Sequence, residues 1–400
     1  MPFLTLLPVD SREMLPSPFP RVLGSYSTGV PGPLIIATGG MHGNEPSGAR
    51  AIVRMFEALH AAAPPFRGRI LGISGNLQAL NRGERFLDRD LNRAWRPERL
   101  AALEGARAED LVGEDRELVE LGGEIQAALT QRTGAAVFLD LHTTSSDSAP
   151  FAIVSDSRVN RRLAQALGVP ILLGLEESLE GTLLNFVNQL GHVAIGFEAG
   201  QHEAPESVAR QEAGLWITLV SCGCLTETDA ERVAALSARR DLLAQSTRGL
   251  PATLELRHRH AIRPEDDFAM NPGFKNFFPI QKGTVVAHDR SGDVRAEEGG
   301  YLFMPLYQKL GDDGYFLVRR VKPFWLGVST VLRALQLDRL LPLLPGVRRV
   351  EGRTDALRLD TRIARGFALD ICHLLGFRKE SHDGALLLVE RRRMPADPRD

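Results

Sequence analysis

Little in this sequence points towards a disulfide scaffold, a nucleic acid or a membrane. Three cysteines, Cys222, Cys224 and Cys372, in 400 residues give no disulfide framework. Their scarcity favours a reducing compartment, and a cytoplasmic location is expected. Cys222-Gly-Cys224 ends an expected helix and reads as core packing. The net charge of −2 leaves no basic footprint for nucleic acid. No uncharged apolar run reaches the ~18 residues of a membrane span. The nearest, Phe324–Val347, is broken by Arg333, Asp338, Arg339 and two prolines. It reads as a helix pair over a core, with an interfacial segment as the alternative. Met1–Pro20 has no basic region ahead of an apolar run and does not read as a signal peptide. Internal repeats and low-complexity tracts are lacking as well.

What is present is the composition of a soluble globular protein, 44% hydrophobic and 24% charged, with length for two to three domains. From Leu34 to about Val220, short apolar runs alternate with helical ones. Leu34–Thr38, Ile70–Ser74, Val137–Leu141, Phe151–Val154 and Val193–Phe197 read as buried strands. Ala49–Ala62, Arg116–Gln131, Arg158–Leu167, Leu183–Leu190 and Ser207–Cys222 carry helical periodicity. The alternation predicts an α/β layer architecture with a mainly parallel sheet, in which ligands gather beyond the carboxyl ends of strands. Asp229–Gln245 reads as a connecting helix. Short β-runs with Gly and Pro turns follow, Thr253–His260, Gly273–Phe278, Thr284–Asp289, Gly299–Leu306 and Gly314–Arg320. They predict a small barrel- or sandwich-like unit. The expected division is 1–245, 246–321 and 322–400, the last with a helix over Thr361–Leu375 and a hairpin around Ser-His-Asp-Gly.

Three strand ends carry chemistry. Leu34–Thr38 runs through Gly39-Gly40 into Met41-His42-Gly43-Asn44-Glu45. An imidazole and a carboxylate three positions apart on a tight turn suit a divalent cation, although a solvated helix start has the same pattern. The strand from Val137 ends in Asp140-Leu141-His142. His142 completes a set of two histidines and one carboxylate, which with an open position is the ligand set of many hydrolytic zinc sites. Asp140 shares a strand face with His142 and can orient its ring. The strand from Val193 ends in Gly196-Phe197-Glu198-Ala199-Gly200. Between these strands lies Arg85-Phe86-Leu87-Asp88-Arg89-Asp90-Leu91-Asn92-Arg93, either a solvated charged loop or a source of guanidinium forks for carboxylates and oxyanions.

These motifs, in this order over residues 30–320, resemble the succinylglutamate desuccinylase/aspartoacylase family of the zinc carboxypeptidase-like clan. The resemblance implies a three-layer catalytic domain with a mixed, mainly parallel sheet, followed by a small β domain. It implies one zinc ion per chain on His42, Glu45 and His142, Arg85 on the scissile carbonyl, Asn92 and Arg93 on a substrate carboxylate, and Glu198 as general base. It implies cleavage of the amide, or an ester, of a small carboxylate-bearing N-acyl compound. A carboxypeptidase acting on peptides and a non-catalytic binder retaining the fold are the alternatives. Two features depart from the family. The arginine expected about ten residues before the base falls near Asn188, and Leu183–Leu190 holds no cation. That counts against N-acetylaspartate and a strongly anionic pocket. A tyrosine closes the site in some members; Tyr307 is the expected counterpart here, with Tyr315 second. Residues 322–400 lie outside the family pattern, as a lid, an oligomer surface or a partner-binding module. His373 there reads as a buried helical residue, and assembly into a homo-oligomer is left open.

Overall fold

The computed structural model describes residues 18–226, 230–308, 310–335, 337–353, 355–360, 362–363, 371–372, 375–383, 386–391 and 395–399. Its principal strands are β1 (Val22–Tyr26), β2 (Val30–Gly39), β3 (Arg67–Ser74), β4 (Ala136–Thr144), β5 (Phe151–Val154), β6 (Ile171–Leu173) and β7 (Val193–Gln201). They continue with β8 (Thr253–Ala261), β9 (Ala269–Met270), β10 (Phe278–Ile280), β11 (Val285–Asp289), β12 (Gly292–Arg295), β13 (Gly300–Phe303) and β14 (Asp313–Arg320). Among the described residues one 11-stranded sheet runs β1-β3-β2-β4-β7-β5-β6-β8-β14-β13-β10. The β3, β2, β4 and β7 strands are parallel, and β5 returns antiparallel beside β7. β6 lies parallel to both β5 and β8, and this pairing carries the sheet into the β-rich segment. There β8, β14, β13 and β10 are antiparallel, and β12-β11-β9 form a separate three-stranded sheet.

The parallel strands are apolar without a break because both of their faces are buried. Ile35 and Ala37 of β2 point into one core with Val137, Leu139, Ile195 and Phe197, covered by the helices Ser47–Ala62 and Glu206–Ser221. Leu34 and Ile36 point the other way, with Phe138 and Ala194, onto Leu118, Leu121 and Ile125 of the helix Gly113–Thr130. Each such side chain, fully buried, contributes roughly 1.5–3 kcal/mol. Of the strands absent from the sequence reading, β1 and β6 are short, and β1 lies at the sheet edge. All three cysteines are free and buried.

At the C-terminal end, β15 (Val347–Arg349), β16 (Ala356–Asp360), β17 (Phe377–Asp383) and β18 (Leu386–Arg391) form a sheet in the order β15-β16-β18-β17. The β17–β18 hairpin starts its turn later than expected, since Ser381, His382 and Asp383 still pair with β18. Phe324–Val347 is taken up mainly by the helix Pro323–Ala334, which starts one residue earlier, and a 3-10 segment, Leu337–Leu343. Arg333 ties this region to the buried Asp156 through two 2.8 Å hydrogen bonds, and Arg162 forms an ion pair with Asp397. The expected helix Thr361–Leu375 and its His373 fall largely outside the described residues, as does the segment before residue 18. Among the described residues no helix is long and apolar enough to cross a membrane.

Candidate metal-dependent active site

The site grows out of sheet register. Thr38 of β2 stands opposite Asp140 of β4, Asp140 opposite Gly196 of β7, and His142 opposite Glu198. These positions share the parity of Leu34, Ile36, Phe138 and Ala194, so one sheet face that is apolar lower down becomes polar at the carboxyl ends of the strands. After β2 the chain turns sharply at Gly40, whose φ of +75° suits glycine. Gly43 then packs against backbone: a Cβ there would lie 2.1 Å from the carbonyl carbon of Ala79. Its N–H donates to Arg85 O at 3.0 Å, bringing the charged loop against the His42 turn.

His42, Glu45 and His142 meet. One ligand atom from each lies within 4.8 Å of the others, and all three residues are buried. Glu45 sits between the rings, Oε1 at 2.8 Å from His42 Nδ1 and Oε2 at 3.1 Å from His142 Nδ1. It also accepts from Thr143 N at 3.0 Å. The outer nitrogens are held too, His142 Nε2 by Asp140 at 2.9 Å and His42 Nε2 by Asp90 at 3.2 Å. Asp140 is itself fixed by Thr38, whose hydroxyl donates at 2.5 Å. Burial acts to raise the Glu45 carboxyl, yet the adjoining histidines hold it well below the carboxylate range. Burial likewise opposes charge on His142, but Asp140 and Glu45 lift it well above the imidazole range. Asp90 is lowered against its burial by His42, Arg85 and Arg93.

Glu198 is different. It is buried, its Oε2 has no hydrogen-bond partner among the described residues, and burial foremost pushes it up to about 8. Arg85 reaches in from the loop, 3.2 Å from both His42 Nε2 and Asp90 Oδ2 and 3.8 Å from Glu45. Four carboxylates thus crowd onto two imidazoles and a guanidinium. A dication set against the inward nitrogens would balance that charge, so the donor set fits one.

Around this cluster opens a cavity of about 440 Å³ bounded by Arg89, Arg93, Leu184, Phe316, Leu306 and Asp313. Asn92 faces it while its Oδ1 accepts from Leu183 N at 2.9 Å, and Arg93 donates to Asp313 at 3.3 Å. Tyr307 is not on its wall. Its hydroxyl donates towards Asn271 O and Phe274 O, each at 2.9 Å. Tyr315 is off the wall too, buried and stacked on His260. Asn188 also lies off the wall, accepting from Ser155 and Asn160. Three residues that the sequence reading did not single out belong here. Asp90 supports His42 and Arg85, and its place within the charged loop was the available signal. His202 lines the cavity, its Nδ1 2.8 Å from Thr143 Oγ1. Glu114, buried, accepts from the backbone N–H groups of Leu87, Asp88 and Arg89 at 2.6, 2.9 and 3.2 Å, and so shapes the arginine loop.

Residues 31–213 match the family model described as the succinylglutamate desuccinylase/aspartoacylase catalytic domain. The succinylglutamate desuccinylase of Pseudomonas fluorescens (strain SBW25) is 25% identical over 291 residues, 68% of this chain and 78% of that protein. Among solved structures, a succinylglutamate desuccinylase/aspartoacylase from Rhodobacter sphaeroides matches with a TM-score of 0.54 at 18% identity, over 74% of this chain and 87% of its own. The product-bound ectoine utilization protein EutE of Ruegeria pomeroyi matches with a TM-score of 0.51 at 19% identity, over the same 74% and 87%. At such identities these structures bear on the fold. By sequence, residues 31–213 are similar to the succinylglutamate desuccinylase/aspartoacylase catalytic domain, and the solved structures share its fold.

Proposed function

We propose that this protein is a zinc-dependent deacylase that hydrolyses the amide bond of a small N-acyl amino acid or related carboxylate. The observation that carries the reading is one meeting of groups. A buried carboxylate oxygen without a partner, on Glu198, faces the His42–Glu45–His142 cluster and Arg85 across a single cavity.

His42, Glu45 and His142 would hold the ion, with Asp140 and Asp90 fixing the rings from behind. Bound there, a divalent zinc polarises a carbonyl and lowers the pKa of water towards ~7. Glu198 accepts the proton of the attacking water and passes it to the departing nitrogen, so that the C–N bond breaks to give a carboxylate and an amine. Arg85 donates to the oxyanion that develops on the scissile carbonyl, a contribution worth roughly 3–4 kcal/mol of barrier. Asn92 and Arg93, on the wall beyond Arg85, receive the substrate carboxylate.

A panel of N-acyl amino acids, N-acyl amines and short peptides, assayed on protein of known metal content, tests the reading. Glu198→Gln should retain its zinc and lose about 10²–10⁴-fold in kcat. Arg93→Ala should weaken carboxylate-bearing substrates selectively. Turnover by Glu198→Gln at the wild-type rate would overturn the assignment of the base, and preference for extended peptides would favour a carboxypeptidase.

A further inference from the structure

Resting on the deacylase reading, we infer that Asp313 sets substrate specificity, supplying from the chain itself a carboxylate that would otherwise come from the ligand. The cavity therefore takes N-acyl compounds with a single carboxylate and an apolar remainder. Asp313 opens β14 at the rim of the cavity and is clamped between two guanidiniums. Arg93 NH2 lies 3.3 Å from one oxygen and Arg259 Nε 2.5 Å from the other. Its side chain is only 10% exposed, so the clamp works where water screens little. Arg259 is fixed in turn by donating to Ser178 O at 3.2 Å.

Charge counting gives the specificity. Arg93 lines the cavity and Arg259 backs Asp313 from off the wall; two positive charges against one leave this corner of the rim matched to one substrate carboxylate. The other guanidiniums among the described wall residues, Arg85 and Arg89, each stand beside carboxylates of the chain. Arg85 serves Asp90 and Glu45, and Arg89, half exposed, lies 3.7 Å from Asp115. The rest of the wall carries the carboxylates of Asp88, Glu176 and Asp312 beside hydrocarbon from Leu175, Leu184 and Phe316. A second carboxylate would lose its water there without gaining a partner. Sequence alone conceals this, because Arg93 and Asp313 are 220 positions apart.

The test compares N-acetyl-leucine with N-acetyl-glutamate on zinc-loaded protein. Binding is measured by calorimetry in the Glu198→Gln background and turnover in the wild-type background. With Asp313 present, N-acetyl-leucine should be favoured in both readouts by at least about tenfold. Asp313→Asn, which keeps shape and hydrogen bonding but removes the charge, should shift that preference towards N-acetyl-glutamate by about tenfold or more. Adding Arg259→Gln to Asp313→Asn should cancel the shift, which separates a charge effect from a loosened rim. A preference that stays within about twofold in folded Asp313→Asn protein, as judged by its melting temperature, overturns the inference. Absence of hydrolysis with the binding shift intact would sink the deacylase reading and leave the role of Asp313 standing.

Discussion

Single residues at this site owe their properties to neighbours that fix them. Glu198 and Asp140 are both buried carboxylates on adjacent strands, yet they behave differently. Asp140 has Thr38 on one oxygen and His142 on the other, whereas Glu198 leaves an oxygen unengaged and is pushed up by burial. The first is therefore placed to hold a ring, and the second has the unengaged oxygen that the proposed base requires. Asp140→Asn, which keeps the volume but removes the charge behind His142, should weaken zinc affinity about 10–100-fold. Competition with a chromophoric chelator would measure this, and an unchanged affinity would mean that the ring needs no such support. His42, Glu45 and His142 were legible in the sequence because each closes a strand or its turn, where local pattern fixes position. The contacts of Tyr307 with Asn271 and Phe274 were not, because they depend on loop packing that no local pattern encodes. Asp313 and Glu114 were hidden for a related reason: each acts on residues distant in sequence.

Among elements, the arginine loop depends on the start of the helix Gly113–Thr130. Residues 85–93 include only a short 3-10 turn, Leu91–Arg93, whose N-cap Asp90 accepts from Asn92 N at 2.8 Å. Most of the order comes from Glu114, which accepts three backbone N–H groups of the loop and the Asn76 amide at 2.8 Å. Removing a buried charged acceptor with several donors costs the bonds and strands the donors. Glu114→Ala should therefore lower stability by at least about 2 kcal/mol. It should also reduce kcat/KM while zinc content stays normal, because Arg85 and Arg93 lose their placement although Glu114 contacts no substrate. Denaturant unfolding together with steady-state kinetics would check both; a stability loss with unaltered kinetics would show that the loop is held by other means. The elements themselves were largely readable, since unbroken apolar strands and amphipathic helices differ in period. Their connection was not. Nothing local announces that β6 pairs with β8, which joins the β-rich segment to the central sheet.

Across the molecule, burial works against protonated histidine at several separate places. His192 precedes β7, stacks on Phe138 with ring centroids 6.2 Å apart, and has its pKa lowered by burial first and Arg132 second. His202 and His260 are lowered in the same direction, again by burial first. The sign follows from linkage. A histidine whose folded pKa lies below the ~6.5 of the free imidazole binds fewer protons in the folded chain than in the unfolded one as acidity rises. Such a group leaves stability untouched above about pH 6.5 and erodes it below, until the folded form takes up the proton as well. An ion held by His42, Glu45 and His142 would also be released in acid, so the overall decline does not isolate the histidines. A difference measurement does. His192→Phe retains an aromatic ring against Phe138 and removes one titration far from the zinc ligands. The variant should lose less stability than wild type between about pH 7.5 and pH 5.5, the two curves separating as pH falls through about 6.5. Chemical denaturation at each pH gives the comparison. Parallel curves would mean that the Phe138–His192 stack accepts a proton without penalty, and that acid lability arises elsewhere in the molecule.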